Sequence, residues 1–279
     1  MPTESIDILN TKGIVMRIVK PNVHLIASPM IHWDALRNAL IEQTGKETDW
    51  FQRIDGSAIS DAEVLVEFGG RECYRSWEPG LNANVTKVRE DSSEYLGNIL
   101  SSGHGSVLEH ANFSFVFSNV SRIFTHEFVR HRAGVGISQE SMRFVRLTDL
   151  PVWFPEWALQ DKRLMELLTD YIQRGEELQR WMAGHFGLDD PKTNFHEKKE
   201  KTSFMRRFAI GGHATHMLAT INVRALRHIV AMRTALGAEE EIRIVCDLLA
   251  TLSVAAVPNL MQDYHRSENA EWIPDFLKV

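Results

Sequence analysis

The hydrophobic pattern alternates between the two periods that distinguish strands from helices. Val23-His24-Leu25-Ile26-Ala27 predicts a short strand, and Ala62 to Tyr74 predicts a helix with Val64, Leu65 and Phe68 on one face. Ser92 or Ser93 can cap a helix that carries Tyr95, Leu96, Ile99 and Leu100 and that Gly103 ends. Phe113, Phe115 and Phe117 then alternate with Ser114, Val116 and Ser118, the period of two expected of a strand with one aromatic face. Ser121 offers a cap to the next helix, whose apolar stripe of Ile123, Phe124 and Phe128 runs through Arg130. Gly134 and Gly136 predict a loop between the cationic triplet at 130–132 and Ser138.

Farther along, Leu164, Leu167, Leu168, Tyr171, Ile172, Leu178 and Trp181 predict a long amphipathic helix with a solvated opposite face. Polar Pro191 to Lys201 reads as a loop. Thr215 to Ile221 predicts a strand leading into a helix that opens at Asn222, and Ile242, Val245, Leu248, Leu249 and Leu252 define a last core helix. Strands and helices do not follow a repeating βα order, so the expected class is α+β. There are no internal repeats or low-complexity tracts.

Composition narrows the function classes. With 279 residues the chain is expected to form a single domain with a sizeable core. Its 44% hydrophobic content and net charge of −6 argue for a globular protein without a general nucleic-acid surface, so any basic site is local. No apolar run approaches the roughly 20 residues of a membrane span. Met1 to Asn10 lacks a basic-then-apolar signal pattern, which gives a cytoplasmic location as the expectation. Cys73 and Cys246 are too few for a disulfide framework or a zinc site of their own and read as reduced thiols.

Against this acidic background, Arg130-His131-Arg132-Ala133-Gly134-Val135-Gly136-Ile137-Ser138-Gln139-Glu140-Ser141-Met142-Arg143-Phe144 concentrates cations, flexible glycines and small hydrogen-bonding groups. Three guanidinium groups in one cluster repel one another unless anions neutralise them, and their planar forks suit phosphate. Phosphorylated ligands are the expectation.

The same stretch resembles the signature of the flavin-dependent thymidylate synthases, an Arg-His-Arg triplet followed after a short spacer by a Ser-Gln/Glu-x-Ser-x-Arg-Tyr-like segment. Two more motifs agree. Gly103-His104-Gly105-Ser106-Val107-Leu108-Glu109-His110 resembles that family's Gly-His-x-x-x-x-Glu-His element, and Asn222-Val223-Arg224 through Arg233 resembles its Asn-x-Arg helix. The resemblance spans roughly residues 61 to 262. Within it the spacer before Ser138 is one residue longer than usual. Phe144 stands for the common Tyr, Glu127 for Gln, Gly237 for His and Ile210 for Pro. Met30 to Ser60, with Trp33, Trp50 and Phe51, has no counterpart in compact members and reads as an N-terminal insertion into a single catalytic domain, 1–279.

The resemblance implies an antiparallel sheet packed with helices and an FAD cofactor. It implies methylation of dUMP to dTMP, with 5,10-methylenetetrahydrofolate and NADPH as co-substrates, and a homotetramer with shared active sites. It assigns flavin binding to His104, Ser106, Arg130, His131, Arg132, Gln139, Asn222, Arg224 and His228. It places Glu127, Arg130, Gln139, Ser141, Arg143, Arg206 and Arg233 around the nucleotide. Arg143 and Arg206 suit its phosphate. Arg233 is the expected catalytic group, because a guanidinium at the uracil edge stabilises charge developing through N3 and the adjacent carbonyl. Two alternatives share this scaffold: a flavoenzyme acting on another pyrimidine nucleotide, and a nucleotide- or flavin-binding regulator without turnover.

Other chemistries fit the residues less well. No Gly-x-Gly-x-x-Gly joins a strand to a helix, so a Rossmann dinucleotide site is not expected. His126 and His131 are five apart, which puts them roughly 140° around a helix rather than on one face, and His213 and His216 lack a third ligand, so no metal is expected. Ser141 has no neighbouring base-and-orienter set for a nucleophile, and ligand positioning suits it better.

Overall fold

The computed structural model describes residues 6–9, 15–85 and 87–279, so Met1–Ser5 and Asn10 of the opening stretch lie outside the described residues. The elements in chain order are strands β1 (Ile6–Leu9), β2 (Val15–Ile18) and β3 (Asn22–Ala27), then helices α1 (Trp33–Thr44), α2 (Asp49–Ile54), α3 (Asp61–Tyr74) and α4 (Ser92–Ser101). Strand β4 (Asn112–Ser121), helix α5 (Arg122–Phe128) and strand β5 (Val135–Gln139) follow, then helices α6 (Glu156–Leu159), α7 (Lys162–His185) and α8 (Phe195–Met205). Strand β6 (Ala214–Asn222), helices α9 (Val223–Arg233) and α10 (Glu240–Ala256), and strands β7 (Tyr264–Arg266) and β8 (Trp272–Pro274) complete the order. β1 pairs antiparallel with β2, and β7 with β8.

A four-stranded sheet has the order β3-β4-β6-β5. Val223 N–H donates to the Ala111 carbonyl and Ser114 meets Thr220 at 2.8 Å, so β4 and β6 run antiparallel. Asn222 N–H donates to Gly134 and Glu140 N–H to His216, which makes β5 antiparallel to β6 as well. The class is α+β, as the mixed periodicity predicts.

The described residues form two compact units, one drawn from 6–9, 15–24, 116–130 and 137–218, the other from 25–85, 87–115, 131–136 and 219–279. In the first, Phe117, Phe124 and Phe128 are buried with ring centroids 5.0 to 5.6 Å apart, the aromatic face that the alternation in β4 demands. α7 starts at Asp161, whose carboxylate accepts from Leu164 N–H, and buries Met165, Thr169, Ile172, Gln179 and Met182. Met165 and Ile172 pack with Met16, Ile18 and Val152.

Several expectations change here. Leu167, Tyr171, Leu178 and Trp181 are exposed, at 52, 63, 41 and 63%, so α7 carries two apolar stripes and buries the other one. Residues 195–205 form α8 rather than a loop. Asn194 caps α8 by accepting from Glu197 N–H, and its Lys- and Glu-rich sequence favours a helix while giving no periodic apolar stripe to detect. Residues 135–139 are strand β5, because pairing with β6 outweighs the flexibility of Gly136. α5 ends at Phe128, leaving Arg130 just past the helix, with Ile123 exposed.

In the second unit α3 has a full capping box, Ser60 and Glu63 bonding each other's backbone N–H groups. Leu40, Trp50, Phe51, Ile54, Val64 and Trp77 form one cluster, so α1 and α2 pack directly against α3. Trp50 Nε1 donates to Glu67 at 2.7 Å and Arg71 Nε donates to the same carboxylate oxygen at 2.8 Å, all three side chains being buried. α4 is capped by Asp91, which accepts from Glu94 N–H, rather than by Ser92 or Ser93. The shorter-reaching serines fall inside its first turn. Gly103 ends this segment with φ +69°. α9 packs against α10 and against the 3-10 turn Gly105–Glu109.

Candidate active site

In the first unit the residues around α5 line an open pocket of about 570 Å³. Ser121 Oγ accepts from Phe124 N–H and starts the helix, as its sequence position predicts. Phe124 and Phe128 then face the core, which turns Arg122, Thr125 and His126 toward the cavity. Glu127, Arg130, Gln139, Ser141 and Arg206 line the same space, so five of the expected nucleotide residues converge. Arg143 does not line it. Its backbone N–H donates to Ser141 Oγ at 3.3 Å and its guanidinium lies over the Phe144 ring at 5.6 Å.

The end of β5 is held by several independent bonds. Gln139 Nε2 donates to Thr125 Oγ1 at 2.8 Å. Arg122 Nη1 donates to the Glu140 carbonyl at 2.8 Å, and Glu140 Oε2 accepts from Thr215 Oγ1 at 3.0 Å. Burial lowers the pKa of Arg122, opposed by the nearby Glu140 carboxylate. Burial, then the Arg122 charge, lowers the pKa of His213 to about 4, so that imidazole is neutral near pH 7. Arg122, Arg130 and Arg206 outnumber Glu127 and Glu140 along the wall, which leaves room for an anionic ligand.

Sequence reading does not mark Arg122 or Thr125, and it considers His126 only as a metal ligand. Their signal is the helical spacing: Thr125 and His126 follow Arg122 at i+3 and i+4, away from Phe124 and Phe128.

The second unit holds the other set. Asn222 Oδ1 accepts from Ala225 N–H and caps α9, which projects Arg224, His228 and Arg233 from one segment. Arg224 Nη1 meets Glu109 at 2.6 Å, tying α9 to the 3-10 turn that carries Ser106. His104 precedes that turn with its ring 5.8 Å from Tyr74. His131 lies edge-on to His228 at 6.1 Å and accepts on Nε2 from Arg233 Nε–H at 2.8 Å. Desolvation first, then the Arg233 and His228 charges, depress its pKa to about 4. Arg132 is exposed.

Gly134 explains the glycine in the signature. It has φ +70°, and a Cβ there would lie 2.7 Å from Asn222 Cγ. Gly105 is similarly restricted, since a Cβ there would lie 3.0 Å from Arg224 Nε. Close backbone approaches beside exposed Arg132 and Arg224, with the imidazoles of His104, His131 and His228 in the same unit, fit a flavin nucleotide: cations for its pyrophosphate and flat groups for its rings.

An α+β fold with an arginine-bearing pocket in one unit and an arginine–histidine cluster in the other has the chemistry to receive phosphorylated, ring-bearing ligands. Residues 57–259 match the family model described as thymidylate synthase complementing protein. A flavin-dependent thymidylate synthase of Mycolicibacterium vanbaalenii is 32% identical over 222 residues, covering 78% of this chain and 84% of that protein. One of Mycobacteroides abscessus is 32% identical over 241 residues, covering 82% and 90%. The chain belongs to the flavin-dependent thymidylate synthase family.

Solved structures agree on the fold. A UMP/dUMP methylase from Streptomyces cacaoi bound with 5-Br UMP matches with a TM-score of 0.54 and 15% identity, over 86% of this chain and 92% of that one. A thymidylate synthase of the family from Helicobacter pylori with FAD and dUMP matches with a TM-score of 0.50 and 19% identity, over 72% and 90%.

Proposed function

We propose that the chain is an FAD-dependent thymidylate synthase, methylating dUMP to dTMP with a one-carbon unit from 5,10-methylenetetrahydrofolate and reducing equivalents from NADPH. The observation that carries this reading is the convergence of Glu127, Arg130, Gln139, Ser141 and Arg206 on one cavity, in a chain of this family. Those are five of the seven residues that the resemblance assigns to the nucleotide, Arg143 and Arg233 being the other two.

In this reading Arg206 and Arg130 neutralise the nucleotide phosphate, with Arg143 as a further cation from the signature segment. Ser141 and Gln139 supply neutral hydrogen bonds that fix the nucleotide's position. Arg233 faces the uracil edge and stabilises negative charge on N3 and its neighbouring carbonyl, enriching C5 in electrons. Neutral His131 orients Arg233 without adding a competing positive charge. FAD, held by His104, Ser106, Arg130, His131, Arg132, Gln139, Asn222, Arg224 and His228, supplies the hydride chemistry that no side chain of the site offers.

The reading extends to assembly and setting. Residues 1–279 act as one catalytic domain, with 30–60 as an insertion that α3 anchors. The active form is a homotetramer with shared sites, which the exposed stripe of Leu167, Tyr171, Leu178 and Trp181 supports because such apolar surface favours burial in an assembly. No helix among the described residues is long and apolar enough to cross a membrane. Cytoplasmic action fits the substrates.

The test is ligand binding by the purified protein. Release of FAD on denaturation, and a perturbed flavin spectrum when dUMP is added, are expected. A protein that takes up neither FAD nor dUMP contradicts the reading, and a flavin spectrum that responds to another pyrimidine nucleotide but not to dUMP redirects it.

A further inference from the structure

Thr125 is a buried threonine, 3% exposed, in the middle of α5, and its hydroxyl makes two hydrogen bonds of different kinds. One joins it to the Arg122 carbonyl at 3.1 Å, a group that can only accept. Thr125 is therefore the donor there, and its single hydroxyl proton is used. The other bond, to the Gln139 amide at 2.8 Å, must then run the opposite way, with a Gln139 N–H donating to Thr125 Oγ1. An amide has two ends. Once its nitrogen is committed to Thr125, the carbonyl oxygen is the end left to face the cavity that both residues line.

We propose that Thr125 is a positioning residue that fixes the orientation of the Gln139 amide, so that Gln139 presents a hydrogen-bond acceptor to an N–H or O–H donor of the bound nucleotide. The proposal rests on the nucleotide reading above. Without the Thr125 hydroxyl nothing in this pair distinguishes the two amide orientations, and the flipped one sets an N–H against the ligand's own donor. The surrounding bonds make the device effective, because Arg122 Nη1 on the Glu140 carbonyl and Thr215 on the Glu140 carboxylate hold the backbone next to Gln139. Side-chain orientation is the freedom that remains, and Thr125 removes it. A 2′-deoxyribose 3′-hydroxyl and a uracil N3–H share the required chemistry.

The experiment compares wild type, Thr125→Val and Thr125→Ser as FAD-loaded proteins, measuring dUMP affinity and, by steady-state turnover, KM and kcat. The proposal expects Thr125→Val to weaken dUMP binding and raise KM about tenfold, a loss of about 1.4 kcal/mol, with kcat within about threefold of wild type. Thr125→Ser is expected to restore both within about twofold, since it keeps the hydroxyl and loses only a methyl group. Titration with 2′,3′-dideoxy-UMP locates the donor. If the 3′-hydroxyl supplies it, the difference between wild type and Thr125→Val disappears with this analogue; if N3–H supplies it, the difference persists. Equal dUMP affinity in folded Thr125→Val and wild type overturns the proposal while leaving the nucleotide reading intact. So does a Thr125→Ser protein as weak as the valine variant. Failure of the wild type itself to bind dUMP instead removes the nucleotide reading.

Discussion

Arg233 donates its Nε–H to His131 Nε2 across 2.8 Å, joining the helix that ends at Arg233 to the middle of the Arg-His-Arg triplet. An imidazole nitrogen can accept only when it carries no proton, so this bond requires the neutral ring that burial first, and the Arg233 and His228 charges second, favour by depressing the His131 pKa to about 4. The neutral ring must carry its proton on Nδ1. Nitrogen NMR of the labelled protein is expected to show an Nδ1–H tautomer at pH 7 that stays neutral well below pH 6.5, whereas a ring that titrates near 6.5 contradicts the arrangement.

Arg233→Lys keeps the positive charge and loses both the Nε donor to His131 and the planar fork. Turnover is expected to fall by roughly 10²- to 10³-fold, the range for removing one donor that stabilises developing charge. The thermal midpoint is expected to change little. A lysine variant with activity within about fivefold of wild type would show that charge alone suffices.

The two depressed histidines set a pH dependence of stability. His131 and His213 both have folded pKa values of about 4, below the ordinary 6.5. As pH falls below 6.5 the unfolded chain takes up protons that the folded protein does not, so stability is present above that value and is lost progressively toward pH 4. Urea midpoints are expected to decline between pH 6.5 and 5, before most carboxylates titrate, and His213→Gln is expected to flatten that slope. A midpoint constant across this interval argues against buried neutral histidines.

Gly134→Ala tests the join between the signature and the helix after it. The substitution places a methyl group against the Asn222 amide at a residue with φ +70°. A loss of more than about 1 kcal/mol is expected from left-handed strain alone, with added loss if the Asn222 cap on α9 is displaced. Denaturant unfolding measures the stability, and flavin affinity is expected to fall with it. Full stability in the alanine variant would mean that β5 and α9 can separate freely.

Glu67→Ala removes the carboxylate shared by Trp50 and Arg71 and leaves a fully buried guanidinium without its anion. Breaking a buried pair from one side costs about 3 to 5 kcal/mol, so the variant is expected to unfold at much lower urea. Because Trp50 belongs to α2, its fluorescence reports whether residues 30–60 detach first. A small loss would mean that the helices of that segment are held by apolar packing alone.

Sequence reading succeeds where one residue determines the local outcome. Ser121 and Asn222 are caps at the positions their side chains suggest, and Phe113, Phe115 and Phe117 all point inward because a strand gives alternate residues the same face. It fails where tertiary partners decide. Gly136 carries no strand signal but is drawn into β5 by the open edge of β6. Residues 195–205 are helical yet polar throughout 196–203, and the exposure of Tyr171 and Trp181 depends on which of two apolar stripes meets Val152 and Ile18. The site divides in the same manner. Its arginine and histidine motifs are visible as residue types, whereas the Thr125–Gln139 bond depends on α5 and β5 meeting in space.

The central claim is tested most directly by anaerobic single turnover of the FAD-loaded protein, reduced with dithionite or NADPH and mixed with dUMP and 5,10-methylenetetrahydrofolate, with nucleotides identified by mass. The account predicts dTMP formed together with flavin oxidation, and its disappearance in Arg233→Ala. Flavin that stays reduced, or oxidises without any dTMP, would contradict it.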